Sequence, residues 1–211
     1  MTSAATPVHS DAARAIRSRR LPRCSICGLF HALCLCESLP RCASRVELLV
    51  VLHRKERFKS TNTGKLAARL LERAACVVRD GTQPLAAQVP SAGSWVLFPS
   101  EQALSLEEAA ARGIRRLIVP DGTWQQATRM ARRDPACSGL PSVRLGAPRA
   151  SRYGLRRNAR PEGLCTLEAI AEALRVLEGD TLAEALLGVF DTWVERSRQV
   201  RAGAHGMQPW K

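Results

Sequence analysis

The chain has 211 residues, 45% hydrophobic and 24% charged, which is room for one domain with a packed core, with or without a small appendage. No long uncharged apolar run occurs, which argues against a membrane-spanning helix, and Met1 to Ser10 show no apolar signal region behind a basic start, so a cytoplasmic location is expected. Lysine and arginine total 32 against 19 acidic residues, a net charge of +13 with a pI near 10.4; such a balance is the usual footprint of a nucleic-acid partner, although a basic soluble protein without one has the same composition.

Residues 1–22 read as a flexible basic arm carrying Arg14, Arg17, Arg19 and Arg20, either touching phosphate or simply solvated. Residues 23–44 follow as a knuckle. Cys24-x-x-Cys27 and Cys34-x-Cys36 face each other across six residues that include Gly28. Tetrahedral zinc takes four thiolates supplied in this way, and a closed four-thiolate site is structural. The Cys-x-Cys pair is tighter than usual; a redox pair is the competing reading, and His31 is a substitute ligand. Cys42, Cys76, Cys137 and Cys165 read as small buried hydrophobes.

Residues 45–211 form the main domain. Val46–Leu52 is a near-continuous apolar run, as expected for a strand buried on both faces. His53–Lys59 is too polar for core, and Thr61-Asn62-Thr63-Gly64 then opens an amphipathic helix over 65–72. That loop offers hydroxyls and backbone N–H groups to an anion, or merely an N-cap at Asn62 or Thr63. It is not a P-loop, because Lys59 stands at the first glycine position and Leu66 at the Ser/Thr position. Strands are predicted at Cys76–Val78 and at Ser94–Ser100, the latter stopped by Pro99. Ser105-x-x-Glu108 is a capping-box pattern for a helix that runs to about Arg112 and ends at Gly113.

A strand through Ile114 and Leu117–Val119 then meets Pro120-Asp121-Gly122-Thr123-Trp124 and a helix over 125–131. Asp121 falls at the carboxyl end of that strand, where α/β sheets bind ligands, and Thr123 is placed to cap the helix. The plainer reading is a turn with Trp124 in the core. Val143–Leu145 reads as one more strand, and helices follow over Thr166–Glu178 and Asp180–Val200. The alternation predicts an α/β domain with a largely parallel sheet flanked by helices. No G-x-G-x-x-G follows any strand, which counts against a dinucleotide site. Between the last strand and these helices, Arg149, Arg152, Arg156, Arg157 and Arg160 surround Tyr153, the only tyrosine. Charge for phosphate and a ring for stacking read as an RNA contact; a solvated basic loop is the alternative.

Taken together, the four spaced cysteines, Thr-Asn-Thr-Gly, Asp121-x-Thr123-Trp124, Ser151-x-Tyr153-x-x-Arg156 and Leu164-x-Thr166-Leu167-Glu168-Ala169 resemble the DTW-domain family over most of the chain. One departure is that His53 is followed by Arg54, Lys55 and Glu56, where the family has Pro and an acidic residue. The resemblance implies a SPOUT-like fold with a trefoil knot, which no residue pattern could show. It also implies a tRNA-uridine aminocarboxypropyltransferase that uses S-adenosylmethionine and acts on uridine N3.

On that footing Asp121 is expected as the base or acceptor at N3, Arg156 as the fork holding the donor's carboxylate, and Trp124 as a wall for adenine or the target base, with Thr123 beside it. The S-adenosylmethionine pocket is expected to draw on Thr61, Asn62, Thr63, Gly64, Phe98, Pro99, Ser151, Tyr153, Leu164 and Thr166, with tRNA contacts from Arg149, Arg152, Arg157 and Arg160. A SPOUT-type RNA methyltransferase and a non-enzymatic zinc-containing RNA binder remain alternatives, and both monomer and homodimer stay open.

Overall fold

The computed structural model describes residues 22–79, 89–147, 149–154 and 163–201. Strands β1 (Glu47–His53), β2 (Ala74–Arg79), β3 (Ser94–Leu97), β4 (Leu104–Ser105), β5 (Arg116–Asp121) and β6 (Ser142–Arg144) form one sheet in the order β2-β1-β5-β3-β6-β4. Every pairing is parallel. Helices α1 (Gly64–Leu70), α2 (Leu106–Ala111), α3 (Trp124–Arg133), α4 (Thr166–Glu178) and α5 (Asp180–Arg201) cover it.

The apolar run of β1 is buried on both faces, as its composition requires. One face, with Leu48, Val50, Leu117 and Val119, packs against α1, α2, α4 and α5 in the larger core. The other, with Val51, Val96 and Ile118, packs beneath Ala127 and Met130 of α3. Leu33, Leu35 and Cys27 of the cysteine knuckle belong to the larger core. The knuckle is also bonded to α5: the Trp193 indole N–H donates to the Cys27 carbonyl at 2.7 Å, and Arg196 donates to the Leu33 and Cys34 carbonyls at 3.1 Å each.

Local sequence sets the element ends. The Ser105–Glu108 capping box forms with both reciprocal bonds, and Gly113 turns the chain after α2 at φ +74. The two-residue β4 is too short to leave a period-2 pattern. Pairing of β5 with β3 ends at Ile118, so Pro120 lies where β5 has one partner, β1, consistent with a residue that has no N–H to give.

The chain leaves β1 through α1 toward β2, and leaves β5 through α3 toward β6 on the opposite side. Neighbouring strands whose connections diverge define a switch point, and the crevice beyond their carboxyl ends is the default ligand site. Asp121, aligned with Leu52 of β1, stands at that point.

Candidate active site

Asp121 is 4% exposed. One carboxylate oxygen accepts from Asn62 Nδ2 at 2.6 Å and the other from Thr166 Oγ at 2.6 Å. Asn62 is fixed in turn, because its Oδ1 accepts the Lys65 N–H at 3.1 Å and caps α1. Two loop-to-helix turns that lie far apart in sequence are thus brought onto one carboxylate. Thr63 ties them together, its Oγ accepting the Leu167 N–H at 3.3 Å. Gly64 is required by proximity rather than by conformation: a Cβ there would stand 2.3 Å from Asp121 Oδ2.

Trp124 is 53% exposed and stacks on the buried Phe98 ring, with centroids 5.4 Å apart and planes at 29°. It is therefore an open platform at the mouth of the crevice, not core. Pro99, beyond Phe98, is exposed and Leu164 is half-buried. His53 lies on the other flank, and burial pushes its pKa below 6.5, aided by the Lys55, Arg54 and Arg129 cations and opposed by Glu56. Its Nδ1 accepts the Lys55 N–H at 3.2 Å, so the basic segment after β1 opens as a tight turn.

Other expected pocket residues serve as supports. The Thr123 hydroxyl caps α3, accepting the Gln126 N–H at 3.4 Å, while Gln126 accepts the Thr123 N–H at 2.7 Å. Ser151 donates to Glu168, whose carboxylate also accepts the Arg152 N–H at 2.6 Å and the Cys165 N–H at 2.8 Å. Glu168 is the residue that sequence reasoning passed over as a motif letter; its signal was the capping-box spacing from Cys165. The Cys165 thiol is pushed up to about 12, first by burial and then by the Glu168 charge, so it is a packed thiol and not a nucleophile.

Tyr153 corrects the expectation of a stacking ring for RNA. It is 3% exposed and lies against Phe190 and Trp193 at centroid distances of 5.9 and 6.0 Å. Aromatic area of that size is worth most where water is excluded, so the ring joins the core. Its hydroxyl donates to the Thr61 carbonyl at 2.9 Å and steadies the loop that carries Asn62. Arg152 is tied to Asp191 at 2.8 Å, and Arg149 to Glu184 at 3.7 Å. Arg156, Arg157 and Arg160 lie outside the described residues.

The four knuckle sulfurs all lie within 4.8 Å of one another, with Cys24–Cys36 at 3.6 Å and Cys27–Cys34 at 3.7 Å. Those separations exceed a disulfide length of about 2 Å. Burial would raise the Cys24 thiol, but the backbone groups of Cys27 and Ile26 and the Cys36 and Cys34 thiols outweigh it and bring the pKa to about 7. Cys27 and Cys36 are driven upward, first by burial and then by their neighbours. The four sulfurs are thus close enough for one metal ion to take all of them as ligands.

The comparisons with known proteins agree with one another. The DTW domain family model matches residues 21–198. A Drosophila melanogaster protein named tRNA-uridine aminocarboxypropyltransferase 2 is 31% identical over 75% of this chain and 68% of its own. A Macaca fascicularis protein of the same name is 27% identical over 87% of this chain and 67% of its own. Among solved structures, the SAM-dependent rRNA:acp-transferase Tsr3 from Vulcanisaeta distributa superposes with a TM-score of 0.50 at 18% identity, covering 74% of this chain and 80% of that one.

Proposed function

The chain belongs to the DTW domain family, and on that premise we propose that it transfers the 3-amino-3-carboxypropyl group of S-adenosylmethionine to N3 of a uridine in tRNA. The observation that carries the reading is a buried carboxylate at the sheet's switch point, held by Asn62 and Thr166 beside an exposed Trp124–Phe98 platform. A plain RNA binder has no use for a desolvated, doubly bonded Asp121.

The donor supplies a sulfonium-activated carbon and methylthioadenosine as leaving group. The chain's own residues do the rest. Asp121 accepts the uridine N3–H, drawing the proton away as the N3–C bond forms and the C–S electron pair returns to sulfur. Asn62 and Thr166 keep its carboxylate aimed, so no reorganisation is needed at the moment of reaction. The Trp124 face stacks on a planar base, of the donor or of the tRNA. Gly64 and Gly122 keep the backbone close at the crevice floor; a Cβ at Gly122 would meet Gln126 at 2.9 Å. We assign the donor's carboxylate to the Arg156 guanidinium, whose planar fork matches it bidentately.

We infer further that Cys24, Cys27, Cys34 and Cys36 hold zinc. A tetrahedron with Zn–S near 2.3 Å has edges of about 3.8 Å, close to the observed 3.6 and 3.7 Å. Its part is structural, since all four positions are thiolates.

The test is mass spectrometry of tRNA transcripts incubated with the protein and S-adenosylmethionine. An aminocarboxypropyl gain with methylthioadenosine released supports the reading; a methyl gain with S-adenosylhomocysteine replaces it with methylation. Asp121→Asn should lose about 10²- to 10⁴-fold in rate, and a folded variant with near-full activity removes Asp121 from the chemistry.

A further inference from the structure

A second feature lies outside the crevice. Between the cysteine knuckle, the start of α1 and the edge strand β2 runs a groove of about 630 Å³. Arg23, Arg57, Lys59, Lys65 and Arg69 line it, and among the described residues no acidic one does. Lys59 is paired with Glu56 at 2.6 Å, but Arg57 and Arg69 form no ion pair among the described residues. Lys65 braces the groove, its Nζ donating to the Ser25 and Arg57 carbonyls at 3.2 and 3.1 Å. Phe58 stands at the rim 85% exposed, with the Arg57 guanidinium 5.4 Å from its ring centroid. Ile26 of the knuckle and Val78 of β2 are exposed beside it.

A phenylalanine this exposed, with its own arginine beside it, has little packing role here. Cations that follow a backbone and a ring that takes a base are together the recognition chemistry of single-stranded nucleic acid. Arg57 and Arg69 of the groove contrast with Arg149 and Arg152, which are paired with Glu184 and Asp191. It leads toward the carboxylate: Val78, Leu52 and Asp121 are successive rungs across β2, β1 and β5. Two strand spacings, about 10 Å, separate Val78 from Asp121, a distance of roughly three stacked nucleotides, and Leu52 of the lining is the rung between them.

We propose that this groove seats the tRNA strand flanking the modified uridine, with an unpaired base stacked on Phe58 and phosphates on Arg57, Arg69 and Lys65. The proposal rests on the tRNA-uridine reading above and adds where the substrate lies. It also gives the knuckle a part in substrate binding, as one wall of the groove.

The test is tRNA affinity across a salt series for four proteins: wild type, Phe58→Ala, Arg57→Ala combined with Arg69→Ala, and Arg149→Ala combined with Arg152→Ala. These side chains are exposed, so the variants keep the fold. Phe58→Ala should weaken binding roughly 5- to 150-fold, the range for losing one stacked base. The Arg57→Ala, Arg69→Ala variant should lower the slope of log affinity against log salt by about 1.4, the single-strand value for two phosphate contacts. Variants that bind like wild type with an unchanged slope overturn the groove, whatever the enzyme does; loss of binding only on Arg149→Ala with Arg152→Ala would relocate the site to that loop. Groove-dependent binding by a wild-type protein that forms no aminocarboxypropyl product would overturn the reaction and leave the groove standing.

Discussion

Gly64→Ala is a small change with a calculable consequence. The added Cβ would stand 2.3 Å from Asp121 Oδ2 and 3.0 Å from its Cγ, against ordinary contact from 3.4 Å. Val50 Cγ1, 3.1 Å from the same Cβ, adds a second close contact, and the Leu167 N–H bond to Thr63 opposes retreat of the helix start. The carboxylate therefore moves by about 1 Å, and the 2.6 Å bond from Asn62 is lost or stretched. A hydrogen bond to a charged group is worth about 1.5–3 kcal/mol, and alanine returns up to about 1 kcal/mol of helix propensity. The net loss is about 1–2 kcal/mol, or a fall in Tm of roughly 2–8 °C for a domain of this size. The rate suffers more, since a 1 Å misplacement can cost about 10²-fold. Single-turnover transfer to tRNA and a thermal melt read the two effects separately. Gly113→Ala is the comparator: it has φ +74 and nothing within 4 Å, so it should cost stability and leave the rate intact. A Gly64→Ala protein with wild-type rate and melting would refute the close approach and, with it, the packing of α1 on Asp121.

Three further outcomes are expected. Trp124→Ala removes a half-exposed ring, so the melt should hold while transfer weakens; an unchanged KM for both substrates would deny the platform a role. Chelation should lower Tm and perturb near-UV signals from Trp193, whose indole is bonded to the Cys27 carbonyl; equal melts with and without chelator would refute a structural metal. Acid stability should reflect Glu178. Burial alone would raise its pKa, but the Ser44 hydroxyl, the Arg45 and Val46 N–H groups and the Arg45 charge hold it below 4.5. A depressed folded pKa contributes stability that is complete above the unfolded value and is lost as pH falls through the folded one. Glu178→Gln should therefore be less stable at neutral pH and show a shallower loss below about pH 4.5; parallel curves for the two proteins would refute the assignment.

The elements that announced themselves were those with local rules. The β1 apolar run, the Ser105 capping box and the span of α4 follow from periodicity and caps. The association of Asp121 with Asn62 and Thr166 was suggested only by the resemblance, because those residues are 59 and 45 positions from it in sequence. Tyr153 was misjudged for a related reason. Its neighbourhood in sequence is arginine, whereas its neighbourhood in space is Phe190 and Trp193. Phe58 was noted only as part of a segment too polar for core, because the groove it borders is made by the knuckle and β2, neither adjacent in sequence. The trefoil knot that the resemblance implies is a property of a whole chain path and could be written in no single residue.

The bond between Trp193 and Cys27 joins residues 166 positions apart. During synthesis the knuckle therefore emerges long before the helix that covers it. At about 5–20 residues per second the interval is roughly 10–30 s, during which Leu29, Leu33 and Leu35 have no finished core to enter. Four thiolates on one ion would hold the segment in shape through that wait, because a metal site of this kind closes on local ligands alone. With a metal ion bound, the cysteines would act as a temporal device, keeping the knuckle in shape until the helix that carries Trp193 closes over it; chains without the ion would be expected to stall at that docking step.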